Sequence, residues 1–314
     1  MKKTHFLSLF LYSLLFTGCV SKPANIMLQT FPHKKDLDSN KEKLQILFPE
    51  FTDENGTVID GDGYIIIFPD KKIMVVDGYY PSSAKKYSDY IKNLGYSKID
   101  YLVASHFHGD HIGSLPQLID DFEIGCFYSC GAPTGSSLSE ELMNKINQRT
   151  INHIVLKEGD KLTFNQVSIK VYSPNLTESD IYNIKYNPGK TAKLINNSSL
   201  VFKLIYDNFS MMFTGDVYKN REKIIVKKYG KELESNLLKV AHHGDFYTTN
   251  SHTWISTVKP DYGIIISPSY AKHWWSGYLI RNRYSLHNVL LLYNDKEGTI
   301  KVESDGIEYS ISHE

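Results

Sequence analysis

The stretch Ser105-His106-Phe107-His108-Gly109-Asp110-His111-Ile112-Gly113 holds three histidines and an aspartate within six residues, directly after an apolar run that predicts a strand. His106 and His108 are two residues apart, so in extended backbone their side chains point the same way and can bind one ion. Asp110 and His111 come where the chain turns into a helix-like segment, and they can face a second ion. Imidazole and carboxylate ligands at this density suit Zn, with Mn or Fe as alternatives.

The same order, a strand followed by ligand-type residues, recurs in the second half of the chain. A predicted strand over 209–213 leads into Thr214-Gly215-Asp216, and another over 237–240 leads into Ala241-His242-His243-Gly244. Strand runs with interleaved helices, in two similar halves, favour an α/β fold, a four-layer αββα sandwich with two β-sheets inside and helices outside. The ligand-type residues would then gather along one edge of the sheets.

One long segment between the two halves has no clear periodicity. Residues 174–193 are polar and include Pro188-Gly189, so we expect a long loop there. Its tyrosines, Tyr182 and Tyr186, would either line a substrate groove or face solvent.

These motifs resemble those of the metallo-β-lactamase-fold hydrolases. The segments 196–201, 213–216 and 238–244 are similar, more narrowly, to the hydrolase domain of competence-type DNA-uptake channel proteins and to the phosphorylcholine esterase domain of some bacterial surfaces. The resemblance implies a dinuclear site that holds two divalent metal ions. It implies these ligands: His106 and His108 for the first ion, Asp110, His111 and His243 for the second, and Asp216 for both.

The resemblance also implies roles for residues around the ligands. Asp77 would be a buried acid that hydrogen-bonds the metal loop, unless it is a plain turn aspartate. Many family members supply a third histidine to the first site where this chain has asparagine, so Asn196 is a weak candidate ligand. His242 is either a metal ligand or, with His252 and His273, a candidate proton donor.

A metal-dependent hydrolase is the function that the resemblance implies. Metal-bound hydroxide, oriented by Asp110, would attack a phosphodiester-type bond in nucleic acid or in a phosphocholine-like headgroup. Hydrolysis of a β-lactam, lactone or thioester is the enzymatic alternative, and a surface-binding lipoprotein with a degenerate metal site is the non-catalytic one. The aromatic run over 270–278 would stack on substrate or pack a helix on the sheet. The candidate substrate contacts are Phe246, Tyr247, His273 and Trp274.

The N-terminus has the pattern of an export signal. Two lysines precede the apolar run Phe6 to Phe16, which is too short to span a bilayer stably. Gly18-Cys19 then resembles a bacterial lipobox, in which Cys19 is lipidated; an ordinary signal peptide or an uncleaved anchor are the alternatives. We therefore expect a cell-envelope protein, lipid-anchored to the membrane and facing outside the cytoplasm. The predicted organisation is a signal peptide, a tether and a hydrolase domain, over residues 1–18, 19–43 and 44–314.

The charge balance argues against a general affinity for nucleic acid. Lysines plus arginines and aspartates plus glutamates number 35 each, so the formal charge is 0. Removal of residues 1–18 takes away two lysines and no acid, which leaves about −2 before the modified terminus is counted. A chain near neutrality has no overall basic field to attract a phosphate backbone. A short substrate is therefore favoured, and nucleic acid remains an alternative.

The remaining two of the three cysteines lie close together in sequence. Cys126 and Cys130 fall on one predicted strand, which at about 3.3 Å per residue separates them by ~13 Å. That span is too long for a disulfide. Two buried thiols are therefore expected, with a disulfide as the alternative if the segment turns back.

Overall fold

Two β-sheets, one of eight strands and one of seven, lie at the centre of the protein. The computed structural model describes residues 35–187, 191–267 and 273–314. The predicted export signal, with Cys19, lies outside the described residues, as do residues 270–272 of the aromatic run. Within the described ranges, no helix has the length and apolar character needed to cross a membrane.

The strands are named in chain order. Those of the first half are β1 Leu44–Phe48, β2 Gly63–Ile67, β3 Ile73–Asp77, β4 Lys98–Ala104, β5 Glu123–Ser129, β6 Asn152–Val155, β7 Lys161–Phe164 and β8 Val167–Ser173. Those of the second half are β9 Val201–Tyr206, β10 Phe209–Phe213, β11 Leu237–Lys239, β12 Tyr262–Ile265, β13 Leu290–Tyr293, β14 Ile300–Ser304 and β15 Tyr309–His313.

The helices are α1 Ala84–Asn93, α2 Gly109–Ile112, α3 Leu115–Asp121, α4 Ser137–Gln148, α5 Glu178–Tyr186, α6 Ala192–Asn197, α7 Lys219–Tyr229, α8 His252–Val258, α9 Trp274–Ser285 and α10 Asn294–Glu297. The first sheet has the strand order β15-β14-β1-β2-β3-β4-β5-β6, and the second has the order β13-β12-β11-β10-β9-β8-β7.

Each sheet combines an antiparallel part with a parallel part. Strands β3 to β6 are parallel in the first sheet, and strands β10 to β13 are parallel in the second. Parallel strands need covered faces, and β3 is accordingly buried along its whole length. The polar loops that carry the ligand-type residues follow the carboxyl ends of these parallel strands.

Aromatic rings join the inner faces of the two sheets. Tyr64 of β2 stacks on Phe213 of β10 with ring centroids 4.7 Å apart. On the other sheet the outer face packs against helices, where Ile225 of α7 and Trp254 of α8 are buried in one hydrophobic cluster with Ile280 of α9. Two sheets inside and helices outside confirm the predicted α/β sandwich.

The prediction of a long loop over residues 174–193 is wrong, because this segment holds α5 and α6. Thr177 and Asp180 form a capping box in which each side chain accepts a hydrogen bond from the other residue's backbone N–H. That cap stabilises a helix whose polar sequence shows almost no apolar face, apart from the buried Ile184. Tyr182 and Tyr186 lie on this helix, exposed to solvent, with ring centroids 4.8 Å apart.

Both remaining cysteines are buried and free, so the disulfide alternative for Cys126 and Cys130 does not hold. The segment continues as an extended strand, β5, up to Ser129. Burial raises the pKa of the Cys130 thiol to about 11, which keeps it protonated and inert.

Candidate metal centre

The ligand-type residues of the two halves meet because their loops follow neighbouring strand ends. The loop after β4 begins at Ser105, and the loop after β10 carries Asp216. Leu200 N, just before β9, donates a 2.9 Å hydrogen bond to Ser105 O, which ties the two sheets together beside the site. Residues far apart in sequence, such as His111 and Asp216, thereby come into direct contact.

The His-x-His pair converges as the two-residue spacing predicts. His106 Nε2 and His108 Nδ1 lie 3.1 Å apart. Two ring nitrogens at that separation either share one hydrogen bond or bind one ion between them. His106 is fully buried, whereas His108 is only partly covered.

The short helix α2 carries Asp110 and His111, and a glycine lets it pack tightly. A Cβ on Gly113 would lie 2.3 Å from Tyr79 O and 2.5 Å from Pro81 N. Only glycine therefore permits this close approach of α2 to the end of β3. His111 is fully buried, and the Asp110 side chain keeps about a quarter of its surface exposed.

Asp77 holds the loop that begins at Ser105 together with helix α2. Its Oδ1 accepts a hydrogen bond from Ser105 N at 2.7 Å, and its Oδ2 accepts one from Ser105 Oγ at 2.6 Å. The same Oδ2 lies 2.8 Å from His111 Nδ1. A carboxylate on Nδ1 orients the ring and leaves Nε2 as the ligand atom, which is the usual support of a metal-binding histidine.

Asp216 lies at the centre of the cluster. Its backbone N–H donates to Ser199 Oγ at 3.0 Å, and its side chain is 1% exposed. Four histidine Nε2 atoms surround its Oδ2. Their distances from Oδ2 are 3.9 Å for His106, 3.2 Å for His111, 3.8 Å for His242 and 4.0 Å for His243.

Both histidines of the second-half pair direct Nε2 towards this cluster. His243 Nδ1 lies 3.2 Å from Ile266 O, and His242 Nδ1 lies 3.3 Å from Asp245 Oδ2. Each Nδ1 thus faces an oxygen that can hold its proton, and each Nε2 faces Asp216. Both residues have left-handed backbone, with φ of 51°.

Burial and charge set the protonation of the cluster. Burial lowers the pKa of His106 well below its usual value, with a further contribution from His111, and burial also lowers the pKa of His108. Neutral rings are the form that binds metal. Burial by itself would raise the pKa of Asp216, but His111 and His242 outweigh it and hold that pKa well below its usual value.

The structure adds two residues that sequence analysis missed. Asp62 joins His111, Asp216 and His243 in a buried group whose ligand atoms all lie within 4.8 Å of one another. Lys239, the last residue of β11, contacts the Asp62 carboxylate. A lysine in an otherwise apolar predicted strand was a signal for such a contact, because a buried ammonium needs an acid.

The donor set fits divalent metal ions. Imidazole nitrogens and carboxylates converge on one buried volume, which is the ligand chemistry of Zn, Mn and Fe sites. Asp62 Oδ1 and His243 Nε2 are buried with no hydrogen-bond partner in the described part of the chain. Such acceptors are costly unless a cation compensates them.

A cavity of about 300 Å³ opens onto the cluster, lined by Asp110, His242 and His243 and by Asp60, Tyr80 and His273 on the outer side. A second cavity of about 510 Å³ shares Asp60 and Tyr80 with it and carries two more carboxylates, Asp53 and Glu54, against one lysine, Lys86. Among the described residues that line these two cavities, acidic side chains outnumber lysines and arginines.

The other predicted substrate contacts, Phe246, Tyr247 and Trp274, are not among the residues that line this cavity. Trp274 follows His273 and is 78% exposed, so it packs no core. Tyr247 is also exposed, whereas Phe246 lies under the Arg283 guanidinium, 3.7 Å from its ring centroid. His252 pairs with His287 on the surface and does not line the cavity.

Asn196 is buried in the last turn of α6, and its Oδ1 has no hydrogen-bond partner among the described residues. The neighbouring Asn197 accepts a hydrogen bond from Tyr218 N at 3.1 Å. The Tyr218 ring in turn lies 5.6 Å from the His242 ring. A role for Asn196 as a ligand stays a prediction.

Residues 56–127, which include β2 to β4, α2 and the four first-half ligand-type residues, match the family model of the metallo-beta-lactamase superfamily. This part of the chain is therefore similar to that superfamily. Asp216, His242 and His243 lie beyond the matched residues, so the second half of the centre rests on the structure.

Three known proteins are similar to this chain, one in sequence and two in fold. The chain is 28% identical over 106 residues to competence protein ComA of Neisseria gonorrhoeae, a match that covers 34% of this chain and 15% of that protein. It is similar in fold to the metallo-β-lactamase fold protein YhfI of Bacillus subtilis, with a TM-score of 0.52, 12% identity, and coverage of 84% of this chain and all of YhfI. It is also similar to CmlA, a diiron β-hydroxylase of Streptomyces venezuelae, with a TM-score of 0.48 and 10% identity over 81% of this chain and 53% of CmlA.

Proposed function

We propose that the protein is a metal-dependent hydrolase of a phosphodiester-type bond in a short substrate. The observation that supports this proposal is the convergence of four histidine Nε2 atoms on Asp216 Oδ2, each within 4.0 Å. Divalent ions held there would supply Lewis-acid activation of water and of the substrate's oxygens. We also propose that this hydrolase is lipid-anchored in the cell envelope, since the sequence resembles a lipoprotein precursor.

The chain offers enough ligands for two ions. We assign His106 Nε2 and His108 Nδ1 to the first ion, and Asp110, His111 and His243 to the second, with Asp216 shared. His242 fills the place of the missing third histidine at the first site, because its Nε2 points at Asp216 and its Nδ1 faces the Asp245 carboxylate. This arrangement makes a ligand role for Asn196 unnecessary.

The remaining groups of the cavity provide orientation and a proton. Asp110 lines the cavity, so its carboxylate can accept a hydrogen bond from the attacking water and orient it. His273 lines the outer wall and is the candidate to protonate the leaving group. His242 is set aside as a proton donor because it is assigned as a ligand.

The acidic side chains of the two adjoining cavities favour one class of candidate substrate over the other. Asp53, Glu54 and Asp60 face the two adjoining cavities, against Lys86 as the basic residue. A nucleic-acid backbone would be repelled by such a surface, whereas a short ester with one phosphate places its charge at the metals. Together with the near-neutral net charge, this favours a small headgroup-like phosphodiester over nucleic acid.

The test is an assay of the purified protein after its bound ions have been counted by elemental analysis. Bis-p-nitrophenyl phosphate, p-nitrophenylphosphorylcholine, single-stranded DNA and nitrocefin are compared with added Zn or Mn. We expect turnover of the two small phosphodiesters, and its loss in His108→Ala and in Asp216→Ala.

Other outcomes would redirect or overturn the proposal. Faster turnover of DNA than of either small ester would reverse the substrate preference. Turnover of nitrocefin alone would move the function to the β-lactam class. Fewer than one ion per chain with no turnover would leave a surface-binding protein.

A further inference from the structure

Lys239 is a buried charged residue beside the metal centre to which the proposed chemistry gives no role. It is the last residue of β11 and is 1% exposed. Lysine is almost never fully buried unless it is paired. Its ammonium contacts the Asp62 carboxylate and donates a hydrogen bond to Gly215 O at 3.3 Å. The ammonium is not itself a metal ligand in the proposed centre.

The same ammonium faces the back of the central carboxylate. Lys239 Nζ lies 4.0 Å from Asp216 Oδ1, while Asp216 Oδ2 lies 3.2 Å from His111 Nε2. The two oxygens of Asp216 therefore have different neighbours, a cation for Oδ1 and the histidine ring nitrogens for Oδ2. Gly215 and Asp62 fix the ammonium, so its position does not depend on Asp216.

We propose that Lys239 is a positioning residue for Asp216, which withholds Oδ1 from the metal ions and presents Oδ2 alone. The inference rests on the proposed metal centre. A carboxylate that is free to rotate can chelate one ion with both oxygens, which changes the coordination number and the share that the other ion receives. A charged contact on Oδ1 removes that alternative arrangement. Lys239 thus acts on the ions through Asp216.

A plain counter-ion role for Asp62 is the competing explanation, and charge complicates any single substitution. Lys239→Met removes a cation that repels metal ions, and it also leaves Asp62 buried without a partner. The double variant Asp62→Asn/Lys239→Met avoids both problems, because it removes one positive and one negative charge together. A change in metal binding that the double variant shows and Asp62→Asn alone does not show reflects the lost contact with Asp216.

The experiment titrates the full chain with Co²⁺ and records visible absorption, whose intensity falls as the coordination number of Co²⁺ rises. In the double variant we expect about tenfold weaker Co²⁺ binding, the low end of the effect of residues that support ligands, together with weaker absorption per bound ion. Asp62→Asn alone keeps the ammonium beside Asp216, so its spectrum should match that of the wild type. Lys203→Met is the matched control, since Lys203 is also buried but donates to the carbonyl oxygens of Glu232 and Glu234.

Three outcomes would overturn the assignment. Wild-type affinity and spectrum in the double variant would reduce Lys239 to a counter-ion of Asp62. An altered spectrum in Asp62→Asn alone would make Asp62 the effective group. Less than one bound Co²⁺ in the wild type would overturn the metal centre and this inference together, whereas the first two outcomes leave the metal centre intact.

Discussion

The buried cluster of ligand-type residues and the Asp77 that supports it, here called the floor of the cavity, differ in construction from the exposed residues at its opening, here called the rim. On the floor, Asp77 and Asp216 are each 1% exposed, and Asp77 holds Ser105 and His111 through three contacts of 2.8 Å or less. The rim consists of the exposed Tyr80 and His273, which line the cavity, and of the exposed Trp274, which directly follows His273 in the chain. Burial and these contacts hold the groups of the floor in one arrangement. We therefore expect the floor to determine which reaction is catalysed. The rim has few such constraints, so differences in substrate preference are expected to arise there.

The largest effect is expected from Asp216→Asn, which keeps the shape of the central side chain and removes its charge. We expect the loss of at least about 100-fold in metal affinity, beyond the usual effect of a residue that only supports a ligand. Elemental analysis after dialysis against a weak chelator measures it. A variant that keeps its ions would contradict the central position of Asp216.

Asp77→Asn tests whether the support of the floor matters as much as the ligands. We expect about 10- to 100-fold weaker metal binding, because His111 loses the acceptor that orients it. Chelator competition provides the measurement. Asp100→Asn is the control, since Asp100 lies at the other end of β4 and accepts a hydrogen bond from Ile73 N at 3.1 Å. Equal losses in both variants would indicate general destabilisation instead.

The pair His242→Ala and His243→Ala separates the two proposed ion sites. Each variant is expected to lose one ion and to retain the other, because His242 is assigned to the first ion and His243 to the second. Native mass spectrometry counts the ions on each chain. If His242→Ala keeps both ions, His242 is not a ligand and Asn196 returns as the candidate.

Trp274→Ala tests the rim. We expect KM for the small phosphodiester to rise by roughly 2- to 5-fold, the size of an exposed aromatic contact of ~0.5–1 kcal/mol. Neither kcat nor the ion count should change, because Trp274 contacts no floor residue in the proposal. Tyr182→Ala, which changes another exposed aromatic residue, on α5, serves as the comparison and should leave KM unchanged. A fall in kcat for Trp274→Ala would show that rim and floor are coupled.

The smallest effect concerns the two thiols, which lie on β5 and just after it. We expect Cys126 and Cys130 to react with a thiol reagent only after denaturation, because burial raises the pKa of both. Counting modified thiols with and without denaturant measures this. Rapid labelling of the native chain would indicate local opening at the end of β5.

Sequence alone predicted the floor better than its surroundings. His106, His108, Asp110 and His111 were readable because ligand spacing on a strand end is a local property. Lys239 and Asp62 were not identified, since their contact joins residues that are distant in the chain. The α5 helix was missed because its capping box, rather than an apolar face, sets its start.

The centre combines residues that the chain presents at widely separated points. His111 and Asp216 are 105 positions apart, and the loops that carry them belong to different sheets. During synthesis, therefore, the first-half ligands emerge long before their partners exist. At the proposed metal centre, complete metal binding would follow the docking of the second sheet, and bound metal would then stabilise that docked state by mass action, by about 2.7 kcal/mol at a free metal concentration of 100 times Kd. Full metal binding at the proposed centre would thus require that both halves of the chain have folded.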